Sequence, residues 1–469
     1  QADFQNRLKT VSLYERYGRK MSDKFEPLKL AAKRAADAAG IDEYELYYIE
    51  NGSISAETFR DEISSFSSSV GGKLMFRCVS GGKLGYASTE LLTEDEVEAL
   101  VARAVENAGV SEKDEEAIIF GGAKPEDYLP TEKHEFAMPD GATIKKVVMD
   151  CRNTLYAADE RIADGTECAV EAGESTIYLS NSKGLNLSNH VGNTLAYMFA
   201  VIDDGKEKVF DYDMDFNNIE NFDREKLAKK VVDGAKAKLG AGAVKTGKYD
   251  IIFDTSEASS ILSTFFSVFV AENAQKGLSL LKGRTGEKIA ADSVTIVDDP
   301  FYPGNTMQIN FDGEGVPTRT KNVVEDGTLK TLLYNLSSAK KDGVQSTGNA
   351  ARVGSSISTK PYVFYIKPGE TSREDLFAKV GNGIYVTEMK GFHAGANAVT
   401  GDFSIESAGF MIEDGKKGRP VKSFTVAGNF FELLKSIDTI GSEIDLRRPG
   451  YTNIAAPDIL VRGMSVAGE

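Results

Sequence analysis

Cysteine is scarce in this chain of 469 residues, which holds only Cys78, Cys151 and Cys168. An odd, sparse count without paired spacing argues against a disulfide-built scaffold and fits a reducing, cytoplasmic compartment. Histidine is equally scarce. His134, His190 and His393 lie far apart, and neither H-E-x-x-H nor C-x-x-C occurs. A metal centre built on one of these local motifs is therefore ruled out, and no metal or other cofactor is expected. No apolar run approaches the ~20 residues that cross a bilayer. Residues 1–20 are polar and lack the apolar centre of a secretory signal. Positive charge is also short. Lys and Arg total 55 against 71 Asp and Glu, a net charge of −16. That balance disfavours direct contact with nucleic acid or with an anionic membrane. The G-x-S-x-G elbow is missing, and Lys282–Lys288 lacks the spacing of a phosphate-binding loop.

What remains is an ordinary globular composition, 41% hydrophobic and 27% charged. The length is too great for one core, so two domains are expected. Met21-Ser-Asp-Lys reads as a possible natural start, which would make residues 1–20 an addition, and the N-terminal extension ahead of the first domain is drawn over residues 1–24. Residues 25–240 then form an N-terminal α/β domain and residues 247–469 a β-rich C-terminal domain. The small-residue stretch 239–247 marks the boundary. The class is α+β. Helices are predicted over 25–40, from the Thr93 capping box to Asn107, over 141–159 and over 224–238. Strands are predicted near 44–50, 74–79, 84–88, 167–179 and 184–202. In the second domain Tyr249–Phe253 reads as a buried strand and Glu257–Gln275 as one apolar helix. Asp312-Gly313, Asp326-Gly327 and Asp414-Gly415 are hairpin signals, and short helices are predicted near 336–341, 372–379 and 428–435.

The segment 391–426 is the richest in information. Its first half is dense in glycine and alanine. Its second half alternates as a hairpin through Phe403, Ile405, Phe410, Ile412, Phe424 and Val426. Such a segment suits a surface that receives a peptide, and it equally suits a tightly packed barrel corner. His393, Asn397 and Thr400 could bond a peptide backbone, or cap turns of their own domain. Asp211, Asp213 and Asp215 resemble the start of a calcium loop, but Phe216 and Phe222 stand where Gly and Glu are required, so a strand with one wet face is expected. Asp298, Asp299, Asp312 and Glu314 form a second acidic group, read as loop acids at turns rather than ligands of a hard cation. Cys78 and Cys168 read as buried structural thiols. No complete catalytic set is visible.

Five separated segments, in order, resemble the TldD/TldE (PmbA) family: Phe311–Thr318, 334–350, 399–404, 427–430 and 464–468. The resemblance runs from about residue 25 to the end. It implies a cytoplasmic two-subunit metalloprotease, with a name-level link to modulation of DNA gyrase. In that family the TldD-type subunit carries H-E-x-x-x-H and a C-terminal cysteine. The matching positions here are Leu262, Ser263 and Ser267, and residues 440–469 hold no cysteine. Leucine has no ligand atom and neutral serines are poor zinc ligands. The resemblance therefore implies the metal-free TldE/PmbA-type subunit, which is not catalytic alone. Its implied partners are a TldD-like subunit or a second copy, with unfolded peptide as substrate. The competing expectation is a homodimeric, non-enzymatic protein that binds a peptide or regulatory partner. A third is an independent hydrolase built on the acids of 298–314.

Overall fold

The computed structural model describes residues 25–111, 118–132, 134–216, 219–354, 356–446 and 450–469. The expected extension, residues 1–24, lies outside the described residues. The fold is α+β. Helix α1 (residues 25–38) ends at Gly40, whose φ of +67° is the left-handed cap that glycine adopts without strain. Then follow β1 (Glu43–Phe59), β2 (Glu62–Ser80), β3 (Lys83–Thr89), α2 (Glu94–Val110), α3 (Gly141–Ala158), β4 (Glu167–Asn181), β5 (Asn186–Asp203), β6 (Lys208–Asp215) and α4 (Arg224–Ala237). The strands form one antiparallel sheet in the order β3-β2-β1-β4-β5-β6.

All four helices lie on one face of this sheet, and the period of two in β1 shows why. Leu46 and Tyr48 pack under α1 and α2, and Ile54 and Ala56 pack under α3 and α4. The odd positions of β1 point the other way. Tyr47 joins Met75, Ile177 and Leu179 in a cluster with Ile309, Phe311 and Tyr362 of the C-terminal half. Further along, Ser53, Glu57 and Phe59 are exposed and Ser55 is half-buried, with no apolar cluster among the described residues covering them. Strands β1 and β2 run well past their predicted limits. Their extra length is serine- and glycine-rich and gives no apolar alternation on the outer face.

The C-terminal half adds β7 (Gly247–Phe253), α5 (Thr255–Phe265), α6 (Ala271–Gln275), β8 (Ile296–Asp299), β9 (Lys321–Glu325), β10 (Thr328–Leu329), α7 (Leu336–Asp342), β11 (Ala350–Val353), β12 (Ser356–Thr359), β13 (Val363–Ile366), α8 (Arg373–Val380), β14 (Gly383–Lys390), α9 (Phe392–Gly395), β15 (Asp402–Glu413), β16 (Lys416–Asn429), α10 (Phe430–Ser436), β17 (Ile437–Ile440), β18 (Asn453–Ala455) and β19 (Ile459–Ala467). One sheet runs β10-β9-β8-β13-β18. The other runs β16-β15-β14-β7-β19, with β17 on its edge. Because β16 also pairs with β19, through Thr425↔Ala467 and Val426↔Val466, those five strands close into a barrel.

The closed barrel explains the glycines of 391–428. A Cβ on Gly409 would stand 2.0 Å from the Tyr385 carbonyl, and one on Gly395 2.5 Å from the Ser404 carbonyl. A bulge between Ser407 and Gly409 shifts the register. Phe403 and Ile405 therefore face the main core, whereas Phe410 and Ile412 face a second core with Leu376 and Leu460. Asp414-Gly415 and Asp326-Gly327 make the expected tight turns, with φ of 50° and 74°, and of 47° and 74°. Asp312-Gly313 does not join two strands. It starts a tight loop in which Asp312 N–H donates to the Val316 carbonyl.

The predicted helix Glu257–Gln275 is broken. It ends at Phe265, tightens into a 3-10 turn over Phe266–Phe269 and becomes extended at Val270, with φ −87° and ψ 125°, before α6. Leu333 is the cause. Its N–H donates to the Phe269 carbonyl and its carbonyl accepts from Ala271 N–H, so a strand-like bridge replaces the helical bonds there.

Candidate functional site

Helix α5 begins at Asp254, whose side chain accepts from Glu257 N–H at 2.8 Å. Its buried stripe is Ala258, Ile261, Leu262 and Phe265. The Phe265 ring stacks on Phe430 at 4.7 Å and tilts against Phe403 at 6.2 Å. Burial of one such side chain stabilises by roughly 1.5–3 kcal/mol. Leu262 is 1% exposed within that packing. Ser263 is exposed, and Ser267 lies beyond the helix in the 3-10 turn, with its carbonyl accepting from Asn273 Nδ2 at 2.9 Å. The helix break thus separates Ser267 from the α-helical stretch that carries the other two positions.

The 391–401 loop sits on the same core through Phe403, which bridges to Ala396. His393 is exposed on α9. Asn397 Oδ1 accepts from Val399 N–H at 2.9 Å and from Thr400 N–H at 3.2 Å. Thr400 Oγ1 accepts from Asp402 N–H at 3.3 Å, and its carbonyl accepts from Asn429 Nδ2 at 2.9 Å. The side chains of Asn397 and Thr400 thus hold their own loop. Helix α5 and the loop meet through apolar contacts and not through facing polar groups.

The acidic groups are also engaged. On β6, Asp211 pairs with Lys238 at 3.1 Å and Asp213 pairs with Lys230. Asp298 accepts from Lys321 Nζ at 2.8 Å, Asn349 Nδ2 at 2.7 Å and Tyr362 N–H at 2.6 Å. Asp299 accepts from Thr320 Oγ1 at 2.6 Å. Among the described residues no group of three or more His, Cys, Asp or Glu is placed to hold a metal ion. Cys78, Cys151 and Cys168 are buried, and burial pushes the Cys78 thiol up to about 11 and Cys151 up to about 12.

Two features of the outer sheet face escape a sequence reading. The first is a buried charged seam. Arg77 on β2 donates to Glu45 on β1 at 2.9 Å and to Glu314 at 2.8 Å, and Arg352 on β11 also pairs with Glu45. Glu314 Oε2 accepts from Leu336 N–H at 2.9 Å. Asp312 accepts from Glu314, Val316 and Ala350 N–H groups at 2.9, 3.0 and 2.9 Å. Burial works against the Arg77 charge, yet Glu45 and Glu314 outweigh it and hold the guanidinium above its usual range. Burial, then the neighbouring Glu314 charge, pushes the Asp312 carboxyl up to about 7 against the pull of its three N–H donors. With Asp312 neutral, two cations face two anions, the balanced arrangement a buried cluster needs. The seam binds the segments 311–318 and 334–350 to the N-terminal sheet.

The second feature is a half-open groove of about 1090 Å³ across β1, β4, β5 and β6. Its floor is small or polar at Ser53, Ser55, Ala169 and Gly173. Phe59, Tyr197, Tyr212 and Phe216 supply rings, and Glu57, Glu167 and Glu171 supply charge. Among the described residues no Lys, Arg or His lines it. The signal in the sequence is the non-apolar run of odd positions Ser53, Ser55 and Glu57 in β1, which says only that this face lacks an apolar cover.

The fold as a whole is a four-helix layer on an antiparallel sheet joined to a closed barrel. Three family models match in order: PmbA/TldA metallopeptidase domain 1 over residues 44–108, the central domain over 127–239 and the C-terminal domain over 246–468. The chain belongs to the PmbA/TldD family. It is 26% identical over 456 residues to a Metalloprotease PmbA homolog of Haemophilus influenzae, covering 94% of each chain. It is 30% identical over 313 residues to a metalloprotease of Methanothermobacter thermautotrophicus, covering 64% of this chain and 67% of that one. Among solved structures it resembles a candidate modulator of a DNA gyrase from Thermotoga maritima, with TM-score 0.85, 27% identity and coverage of 94% and 100%. It also shares the fold of TldE from Thermococcus kodakarensis, with TM-score 0.80, 24% identity and coverage of 95% and 100%. Among the described residues no helix is long and apolar enough to cross a membrane.

Proposed function

We propose that this chain is a metal-free, TldE/PmbA-type subunit of a cytoplasmic metalloprotease complex, and that it holds unfolded peptide for cleavage by a metal-bearing TldD-like partner. The observation that carries the reading is the uncovered, strand-floored groove, which suits an extended chain better than a folded domain. Leu262 supports the metal-free part, since its side chain is packed into the core and offers no ligand atom. A subunit without metal still contributes by positioning substrate and excluding water around the reacting bond. His393, Asn397 and Thr400 remain candidates for the edge of a shared channel, and the loop bonds of Asn397 and Thr400 leave His393 as the freest of the three to meet a peptide.

The test is cleavage of an unstructured peptide by this chain alone, by a TldD-type subunit alone and by the mixture, each with and without chelator. Activity is expected in the mixture only, and is lost with chelator. Cleavage by this chain alone, or full activity of the TldD-type subunit without it, overturns the proposal. The second outcome would favour a homodimeric, non-enzymatic binding protein.

A further inference from the structure

We infer that the groove of the N-terminal sheet selects cationic, extended peptide segments in which Lys or Arg residues alternate with apolar ones. This rests on reading the chain as a peptide-holding subunit and names the class of peptide it prefers.

The argument begins with the register. Glu167, Ala169 and Glu171 share the outer face of β4, so the two carboxylates stand ~13 Å apart along the strand. Glu57 on β1 is paired with Ala169 and stands between them on the neighbouring strand. All three carboxylates are exposed, and no ion pair joins any of them to a described residue. The seam on the same sheet face shows what this chain does with an acid it means to neutralise, for Glu45 has both Arg77 and Arg352. Glu57, Glu167 and Glu171 have no such answer within the described chain.

Rings flank the charges. Phe59 is paired with Glu167, and Tyr197 is paired with Ala169 across the other edge of β4. Tyr212 lies 6.0 Å from Tyr197, ring centre to ring centre. An ammonium or guanidinium set between a carboxylate and an aromatic face gains an ion pair and a cation–π contact together. The methylene stems of Lys and Arg can lie along the apolar walls. An extended peptide presents every second residue to one face, so cationic residues four apart match Glu167 and Glu171, with an apolar residue between them over Ala169. The net charge of −16 attracts the same ligand from a distance. A second copy of this chain is a poor occupant, because a two-fold contact through this face would set glutamate against glutamate.

The experiment is fluorescence anisotropy with labelled, unstructured ten-residue peptides. One peptide carries Arg at two positions four apart with Leu between them, the second has Glu in place of Arg, and the third has neutral Gln. The cationic peptide is expected to bind at least ~10-fold more tightly than the other two, and the preference should shrink as salt rises. The triple variant E57Q/E167Q/E171Q should lose that preference while its circular dichroism and melting temperature stay unchanged. The charge-reversed triple variant E57K/E167K/E171K should prefer the acidic peptide. Equal binding of all three peptides overturns the charge selection and leaves the peptide-holding role standing. Binding of none of them overturns both. Concentration-dependent dimerisation that strengthens in the Gln variant would assign the face to a second copy and also overturns the inference.

Discussion

One face of the N-terminal sheet has two fates along a single strand. At Glu45, Tyr47 and Ile49 of β1 it is sealed by residues of the C-terminal half, and from Ser53 to Phe59 no described element packs over it. The alternation is the same in both stretches; the cover differs. Under the cover a carboxylate must be answered, because an unpaired buried charge is costly, and Glu45 is met by two arginines. In the open stretch water supports Glu57, so its charge remains available to a ligand. Pairing thus separates acids that hold the two halves together from acids that await a partner.

The sharpest way to break the comparison is at Arg77. Arg77→Leu leaves Glu45 and Glu314 buried without their shared cation, and a loss of about 3–5 kcal/mol is expected in urea unfolding. A loss under 1 kcal/mol would mean that water reaches the seam. Next comes the barrel. Gly409→Ala sets a methyl against the Tyr385 carbonyl, 2.0 Å away with the backbone unmoved, so β14 and β15 must part. About 1–3 kcal/mol of destabilisation is expected, together with faster amide exchange along that pair.

The pH response of the seam should be gentler. Asp312 sits near 7 in the folded chain, above its ordinary value of 3.8. The folded state therefore holds this proton more tightly than the unfolded state does. The stability from this group is complete below about pH 4 and is lost as pH rises through about 7, with a slope of at most ~1.4 kcal/mol per pH unit. Asp312→Asn should flatten the slope between pH 5 and 7 in urea titrations. An unchanged slope would place the proton elsewhere.

Much of this was legible in the residues, and the exceptions have physical causes. The first four helices follow their caps and spacing, and the turns at Asp326-Gly327 and Asp414-Gly415 follow from positive φ. The break after Phe265 was not legible, because Phe-Phe-Ser-Val-Phe-Val suits helix and strand alike and a distant residue, Leu333, decides between them. The closed barrel was one of two readings of the glycine-rich stretch, and the β16–β19 pairing that makes it is long-range. The seam was half visible. Asp312 and Glu314 stood out as acids at a turn, but Arg77, the partner of Glu314, lies 237 residues away and looks like any strand arginine. The five family segments turn out to be joints. Glu314 holds the start of α7, Asn429 holds the Thr400 carbonyl, and Ala427 pairs with Ser465 to help close the barrel.

The smallest expected effect is also the cleanest control. Glu57→Gln and Glu45→Gln are the same chemical change on the same strand and face, one in the open stretch and one under the seam. At Glu45 the new amide turns an N–H₂ toward guanidinium groups that already only donate, and the cluster gains an unbalanced positive charge. A loss of at least ~2 kcal/mol is expected from a broken buried pair. At Glu57 the carboxylate is exposed and makes no ion pair with a described residue, so stability should change by no more than about 0.5 kcal/mol. Parallel urea titrations of the two variants decide the matter. Equal losses would mean that the open stretch has a cover of its own, and a groove already filled by part of this chain would have no room for a peptide.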